Sequence, residues 1–595
     1  MELDAFIASL GGGIFRNFSA LFLLLLAARG MGCWLLPRRC GEFLRFALGM
    51  AVLAWLYPWW WRGAPALPLA ALLLIPAARG VWKLPLSAYR RHWRLLLLLA
   101  AVGIASLASA LLPPFVWDEQ VYQTVLWARF AESVRRIDNP YAAYPLVPQL
   151  FMQWARGIGG LALPRLMVWA LSLILAGKLF VEARRRSGSA TFGGVLAAGV
   201  MLSPLALTVN QSFYAEGFVA LFALAGFLAL DPGTGDERRD AVLAGVFAGA
   251  CVAVKLPGGG AALMIGVLAL KRRRHLKWFI PAAAVMALPF FIRPWLVFGN
   301  PVYPFFAGWF GGGKAVLVER VFRALGDFGG GKVRGLIGWL LVCFDSGFSD
   351  GVVCGFGVMV MILMLLCLVC IRRAPKRWWY LAALAAGYVF WTLTSRQTRF
   401  LYPLLFTSAL MLAESVPPMK ARKSGVLALL LALAVVATAG SYPRLRHYWT
   451  AWRMLPLAQQ DPARFLALAT KDPAYFNTLK LLGAVAPKPA RVLLLFERRS
   501  LYVPRYCEHG TPLFQEARLT PPPRTREELW RSIRDFDYLL FGSTLEHVDR
   551  LPWYGGIESQ VGQLLIELVK DGRLRLVPGP SGVEFQPLLE VVHGR

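Results

Sequence analysis

Residues 95–122 read LLLLLAAVGIASLASALLPPFVWDEQVY. Leu95–Leu112 carries no charge, and two prolines, two aromatics and the adjacent carboxylates Asp118 and Glu119 follow it. A membrane helix needs about 20 mostly apolar residues, and shorter ones serve inside a bundle. The run therefore predicts a span that Pro113-Pro114 ends, because proline lacks the amide a helix needs. It leaves two carboxylates at the membrane surface.

The same criterion applied to the whole chain gives about fourteen candidate spans, from Ile14–Ala28 to Val426–Gly440. Among them are Ala64–Ala78, Phe192–Thr208, Phe213–Leu230, Val353–Ile371 and Tyr380–Thr394. Composition agrees. Of 595 residues 57% are hydrophobic and 16% charged, against about 45–50% and about 25% in ordinary soluble domains, which excludes a soluble enzyme of two or three domains. The net charge of +30 would suit a nucleic-acid binder, but its distribution does not. Residues 1–440 carry 43 basic and 18 acidic side chains, whereas 441–595 carry 21 and 16.

The excess sits in short clusters between apolar runs: Arg38/Arg39/Arg45, Arg79 to Arg94, Arg184–Arg186, Lys271–Lys277, Arg372–Arg377 and Lys420–Lys423. They occupy alternate loops, which is the positive-inside pattern, and all six are cytoplasmic if one is. Pro113–Gly160, Val209–Ser212, Gly299–Gly351, Ser395–Arg399 and everything after Gly440 are then external. The first span lacks a basic region ahead of it and reads as a retained helix. Of eight cysteines only Cys507 lies beyond residue 440, so neither a disulfide framework nor a zinc spacing is present.

After Gly440 short apolar strands (Val492–Phe496, Tyr538–Phe541, Leu574–Val577) alternate with amphipathic helical stretches. Thr525-Arg526-Glu527-Glu528 is a capping box, and Ile557–Lys570 predicts another helix. The expected architecture is an α-helical polytopic membrane protein with a small C-terminal α/β extracytoplasmic domain. Residues 1–94 supply additional N-terminal helices, 95–440 a transmembrane module with external loops, and 441–595 the external domain, joined through Ser441–Trp449.

Charges near a bilayer are costly and call for a reason. Asp118 can cap a following helix, with Glu119 favouring its N-terminal end and Trp117 and Tyr122 in the interfacial aromatic belt. A capped helix also presents a carboxylate rigidly. Glu216, entering a span after Tyr214-Ala215, needs a partner or a wet cavity. Lys255, Arg293, Arg396 and Arg399 are placed at the external side. Each cation alone reads as a snorkelling anchor. Together with the acids they suit a polar, anionic headgroup on an apolar tail. A lipid-phosphate-linked sugar would keep its chain between helices and its phosphate on Lys or Arg, with its anomeric carbon near a carboxylate that deprotonates an acceptor hydroxyl.

At these residues the sequence resembles the lipid-linked-sugar-dependent membrane glycosyltransferases of the GT-C superfamily, related to protein O-mannosyltransferases and the aminoarabinose transferase of lipid A. Asp118-Glu119 with Tyr122 resembles the acidic pair of the first external loop, and Tyr144-Pro145-Leu146-Val147-Pro148 the Pro-rich stretch after it. Tyr214-Ala215-Glu216 resembles a Tyr-x-Asp, with Glu in place of the usual Asp. Lys255, then Arg293 with Gly299-Asn300-Pro301-Val302-Tyr303-Pro304, then Gln397-Thr398-Arg399-Phe400-Leu401-Tyr402-Pro403 follow in family order.

The resemblance implies Asp118 as catalytic base or its organiser, Glu119 as an acceptor-binding group and Glu216 as a second acid. It implies Lys255, Arg293 and Arg399 as donor-phosphate ligands, with Tyr122, Tyr144 and Tyr303 as substrate-binding residues. Some members of the family use a divalent metal and others none. The external acids here are too few and scattered for a carboxylate cage, so no metal ligand is assigned.

The expected activity is inverting transfer of a sugar from a polyprenyl-phosphate donor to a hydroxyl of an exported glycan, lipid or protein. It would take place at the outer face of a bacterial cytoplasmic membrane, with no nucleic-acid partner. An O-antigen ligase or polymerase would use external Arg or His groups on a pyrophosphate-linked donor, but histidine is nearly absent from the external membrane loops and the acid pair would be idle. A lipid or solute transporter would lack the inverted repeat common to that class.

Overall fold

The computed structural model describes residues 13–60, 73–79, 93–116, 118–123, 147–210, 212–230, 235–303, 306–310, 378–394, 397–415, 442–510, 521–542 and 557–593, with single positions 81, 363 and 519 besides. An apolar backbone away from water must satisfy its own N–H and C=O groups, so the apolar runs fold as helices. In chain order the main ones are α1 (Ile14–Leu35), α2 (Glu42–Trp60), α3 (Trp93–Leu111), α4 (Val147–Ile158), α5 (Leu163–Ser187), α6 (Ala190–Met201) and α7 (Pro204–Val209). There follow α8 (Glu216–Leu230), α9 (Glu237–Val254), α10 (Gly259–Ala269), α11 (Leu276–Phe298), α12 (Trp378–Thr394) and α13 (Tyr402–Ser415). The C-terminal part comprises α14 (Tyr442–Gln460), α15 (Pro462–Thr470), α16 (Pro473–Val485), β1 (Arg491–Leu495), β2 (Tyr506–His509), α17 (Arg526–Ile533), β3 (Tyr538–Phe541), α18 (Ile557–Lys570), β4 (Leu574–Leu576) and β5 (Leu588–Val591).

Against the expectation of about fourteen spans, the described residues hold three helical runs long and apolar enough to cross a membrane: Ile14–Leu35, Leu163–Ser187 and Leu256–Leu296. Ala100–Leu111, Ala190–Met201, Glu216–Leu230 and Arg399–Ala413 are shorter apolar helices. Of Val353–Ile371 only Leu363 is described, and Val426–Gly440 lies outside the described residues. The expected span Phe192–Thr208 is two helices. Pro204 cannot donate to the helix before it, and the Ser203 side chain accepts from Ala206 N to start α7.

The run Leu256–Leu296 is likewise two legs, since Arg272 leaves helical geometry at φ −118°, ψ 54°. Ion pairs mark the two ends of this region. Asp240 with Arg272, and Glu237 with Arg274 and His275, meet at one end. Lys255 and Glu216 meet at the other. The basic cluster at 271–274 and the candidate site residues are therefore segregated, as alternate loops require.

Close helix packing uses small residues. Gly245 and Gly249 lie one turn apart on α9, and a Cβ on them would sit 2.3 Å from the Phe279 carbonyl oxygen and 2.2 Å from that of Ala283 on α11. Backbones in such contact are the means by which membrane helices associate where burial from water gives no driving force.

The C-terminal sheet has strand order β2-β1-β3-β5-β4, with β1 parallel to β2 and β3, and β5 antiparallel to β3 and β4. Side chains alternate across it. Leu493, Leu495, Leu539 and Phe541 pack with Leu529, Ile533, Val561 and Leu565 of α17 and α18. Val492, Leu494 and Leu540 belong instead to the core that runs into the helical bundle.

The expected strands and the Ile557–Lys570 helix are present, while β2 and β5 are additional. The joining stretch Ser441–Trp449 is helical from Tyr442, where it forms the first turns of α14. That helix packs along the bundle, with Trp452 Nε1 donating to Ala105 O of α3 (3.1 Å) and Tyr448 Oη to Leu207 O of α7 (3.1 Å).

Gly249→Leu should force α9 and α11 apart. The expected outcome is loss of monodisperse protein in detergent by size exclusion, with Gly266→Leu, whose Cβ would meet nothing within 4 Å, behaving as wild type.

Candidate active site

The segment between α3 and the turn at Glu119–Gln123 is shaped by Glu119. Its carboxylate has no solvent exposure and faces Arg165, which has none either. Arg165 Nε donates to Glu119 Oε1 at 2.7 Å, and Nη2 pairs with Oε2. The third nitrogen, Nη1, donates to the carbonyls of Ser109 and Leu112 at the end of α3, at 3.1 and 3.3 Å. Glu119 also accepts from Val116 N (3.2 Å) and from Phe213 N (2.7 Å). The ion pair thus ties together the end of α3, through Arg165, the start of α5, the loop of Glu119 and the turn that leads into α8. Each carboxylate oxygen of Glu119 is engaged internally.

Asp118, the next residue, points elsewhere and forms an ion pair with Arg399 Nη1. Arg399 Nε lies 3.6 Å from Glu216 Oε1, and the same oxygen accepts from Lys255 Nζ at 2.9 Å. Acids and bases alternate: Asp118, Arg399, Glu216, Lys255. They come from four places, namely the loop after α3, the turn before α13, the first residue of α8 and the residue after α9. Glu216 favours a helix N-terminus through the backbone dipole.

The aromatic floor beneath consists of Tyr214, 4.8 Å from the Arg399 guanidinium, and Phe400, 4.2 Å from Lys255 Nζ and 5.4 Å from Arg399. Rings at these distances stabilise cations electrostatically. Glu216 Oε2 is buried and has no hydrogen-bond partner among the described residues. Behind this layer Ser172 Oγ meets Asn210 Oδ1 and lies 2.9 Å from the Tyr402 hydroxyl, all three buried.

Of the residues singled out from sequence, the structure brings together Asp118, Glu216, Lys255 and Arg399, with Glu119 supporting them from inside. Tyr303 is buried against the Phe298 ring (4.4 Å between centroids) in the loop after α11, where Asn300 Oδ1 accepts from Val302 N. Arg293 falls within α11 and Tyr122 within the turn 119–123, both placed by backbone alone. Tyr144 and Arg396 lie outside the described residues.

Arg165, Tyr214 and Phe400 were not singled out for these contacts. Arg165 had a signal, being the lone cation inside an apolar run, Leu163–Leu175, where a charge without a partner is expensive. Among the described residues no three His, Cys, Asp or Glu side chains gather in metal-binding geometry. The two acids of the cluster, Asp118 and Glu216, flank the Arg399 guanidinium.

Solved structures similar to this chain include ArnT and the arabinofuranosyltransferase AftD. ArnT from Cupriavidus metallidurans, in a crystal structure bound to undecaprenyl phosphate, is 14% identical with a TM-score of 0.46, over 84% of this chain and 98% of that one. The apo form gives 13% and 0.47 over the same shares. The arabinofuranosyltransferase AftD from Mycobacteria gives 16% and 0.41, over 85% of this chain and 40% of its own. No family model and no curated protein matches the sequence. Likeness at these scores carries no argument about reaction or substrate, which has to come from the site.

Truncating Arg165 would strand a buried carboxylate, a change that costs about 3–5 kcal/mol. Arg165→Ala is expected to lose most folded protein. Arg165→Lys should not rescue it, because an ammonium cannot serve two carboxylate oxygens and two carbonyls in one fork. Thermal unfolding in detergent reads both.

Proposed function

We propose that the chain is a membrane glycosyltransferase that moves a sugar from a polyprenyl-phosphate donor to a hydroxyl of an exported acceptor, with inversion at the anomeric carbon. The observation that carries this reading is the convergence of Asp118, Arg399, Glu216 and Lys255 from four separated segments at the end of the bundle away from the 271–274 basic cluster. By the positive-inside pattern that end is external. About fourteen spans, a bacterial cytoplasmic membrane and an extracytoplasmic C-terminal domain complete the proposal.

Each group has a task suited to its chemistry. Lys255, a compact point charge, and Arg399, a planar fork, hold the donor phosphate. Asp118 takes the proton of the acceptor hydroxyl as that oxygen attacks the anomeric carbon. The bond from the anomeric carbon to the phosphate oxygen breaks, and polyprenyl phosphate leaves with its charge on Lys255 and Arg399. Glu216 keeps the two cations in place through Oε1, and its buried Oε2 accepts a hydroxyl of the sugar. Arg293, Tyr122, Tyr144 and Tyr303 are proposed to line the donor path.

The ion pair between Asp118 and Arg399 orders these events. A donor phosphate competes with Asp118 for the guanidinium, so donor arrival releases the base for the acceptor. A base paired with Arg399 before the donor arrives is kept from idle chemistry.

Asp118→Asn should therefore lower transfer by about 10²–10⁴-fold, the range for a general base. Binding of undecaprenyl phosphate should be retained or tightened, since the competitor is gone. Lys255→Met should weaken that binding by roughly 10–100-fold, from the loss of one charged hydrogen bond of about 1.5–3 kcal/mol. Surface-glycan mass spectrometry of complemented cells reads transfer, and native mass spectrometry of purified protein with undecaprenyl phosphate reads binding. Wild-type transfer by Asp118→Asn would refute the role of Asp118.

A further inference from the structure

The loop that carries Asp118 has little regular structure of its own, and its outer side is covered by the C-terminal part of the chain. Phe115 is held between two bodies. The Arg165 guanidinium lies 4.7 Å from its ring centroid on the bundle side. Phe465 of α15 meets it edge-on at 6.0 Å and His447 of α14 at 5.8 Å. One residue earlier, the Pro114 carbonyl accepts a hydrogen bond from the Tyr502 hydroxyl at 2.9 Å, across 388 residues of sequence.

Tyr502 is itself rigidly mounted. It lies in the loop after β1, has no solvent exposure and packs against the Phe476 ring of α16 (6.3 Å). That loop is anchored by Arg499, whose Nε and Nη2 donate to Glu497 at 2.9 and 2.6 Å. Nη2 also reaches Asp472 at 2.6 Å, and the guanidinium stacks 3.9 Å from the Tyr475 ring. Val503 N donates to Ser500 O to close the turn. Burial pushes the Tyr502 phenol well above its usual value, with Arg165 opposing and Glu119 adding to the shift, so the hydroxyl keeps its proton and remains a donor.

A phenol with no other hydrogen-bond partner among the described residues is thus aimed at the backbone four residues before the proposed base. Glu119 and Arg165 fix that loop from the bundle, and Tyr502 fixes it from outside. We propose that Tyr502 is a positioning residue for the transfer reaction, acting on Asp118 through the Pro114 carbonyl, so that the C-terminal part completes the active site as well as covering it. The inference rests on the glycosyltransferase reading and deepens it. Misplacing a reacting group by about 1 Å can cost about 10²-fold, and a lost loop constraint falls below that ceiling.

The test uses full-length protein. Tyr502→Phe keeps the ring and its packing and removes only the donor. At matched expression, surface-glycan mass spectrometry is expected to show product falling about tenfold. The purified variant should keep wild-type affinity for undecaprenyl phosphate and a wild-type unfolding temperature. Product at the wild-type level overturns the proposal. So does a loss of product matched by loss of affinity or of unfolding temperature, which is what a general scaffold role produces. Asp118→Asn in the same experiment separates the two readings. If it is silent while Tyr502→Phe is normal, only the role of Tyr502 fails. If it makes wild-type product, the role of Asp118 fails and that of Tyr502 with it.

Discussion

A carboxylate and a guanidinium sealed from solvent have to satisfy one another, and Glu119 and Arg165 do so at zero exposure. Removing two charges from water costs several kcal/mol each, recovered only with good geometry and extra hydrogen bonds. The pair has both. The extra bonds from Arg165 go to the last carbonyls of α3, and those to Glu119 come from Val116 and Phe213. The need to keep two buried charges neutral therefore locks α3, α5 and the turn before α8 into one arrangement. Asp118 and Glu216 flank that lock in sequence and inherit their positions from it.

This division of labour between adjacent acids follows from exposure. Glu119 is closed in, with every oxygen engaged, and serves the fold. Asp118 retains 14% side-chain exposure and a partner, Arg399, that a phosphate can compete for. The expectation that Glu119 would touch the acceptor gives way to a proposal that it holds the loop. The alternating chain of Asp118, Arg399, Glu216 and Lys255 has no net charge, which is how four ionisable groups persist beside aromatic rings at the end of a helix bundle. An anionic headgroup entering that chain would draw on the two cations and release one acid.

Much of this was legible before the structure. Alternate basic clusters divide the helix ends into two sets, and along α9 the 271–277 cluster and Lys255 pair at opposite ends. Asp118, Glu216, Lys255 and Arg399 each stood out as a charge where charges are costly. Their pairing was not legible, because it depends on how α8, α9 and α13 are rotated about their axes, which apolar composition does not fix. The partner of Arg165 is not legible either, because Glu119 lies 46 residues away in sequence. The strand Tyr506–His509 is not legible, because a four-residue edge strand with Glu508 in it has no apolar alternation. The helix that begins in the joining stretch Ser441–Trp449 is hidden by its Pro and Arg content, yet a helix tolerates Pro in its first turn and Pro443 is the second residue of α14.

The account turns on where an anionic lipid headgroup binds. A cryo-electron-microscopy structure of the full-length protein with undecaprenyl phosphate tests it most directly. The phosphate is predicted within hydrogen-bonding distance of both Lys255 Nζ and the Arg399 guanidinium, with the bond between Arg399 and Asp118 opened. A phosphate seated at the opposite end, beside Lys271–Arg274, or at the outer end with Arg399 still paired to Asp118, would contradict it.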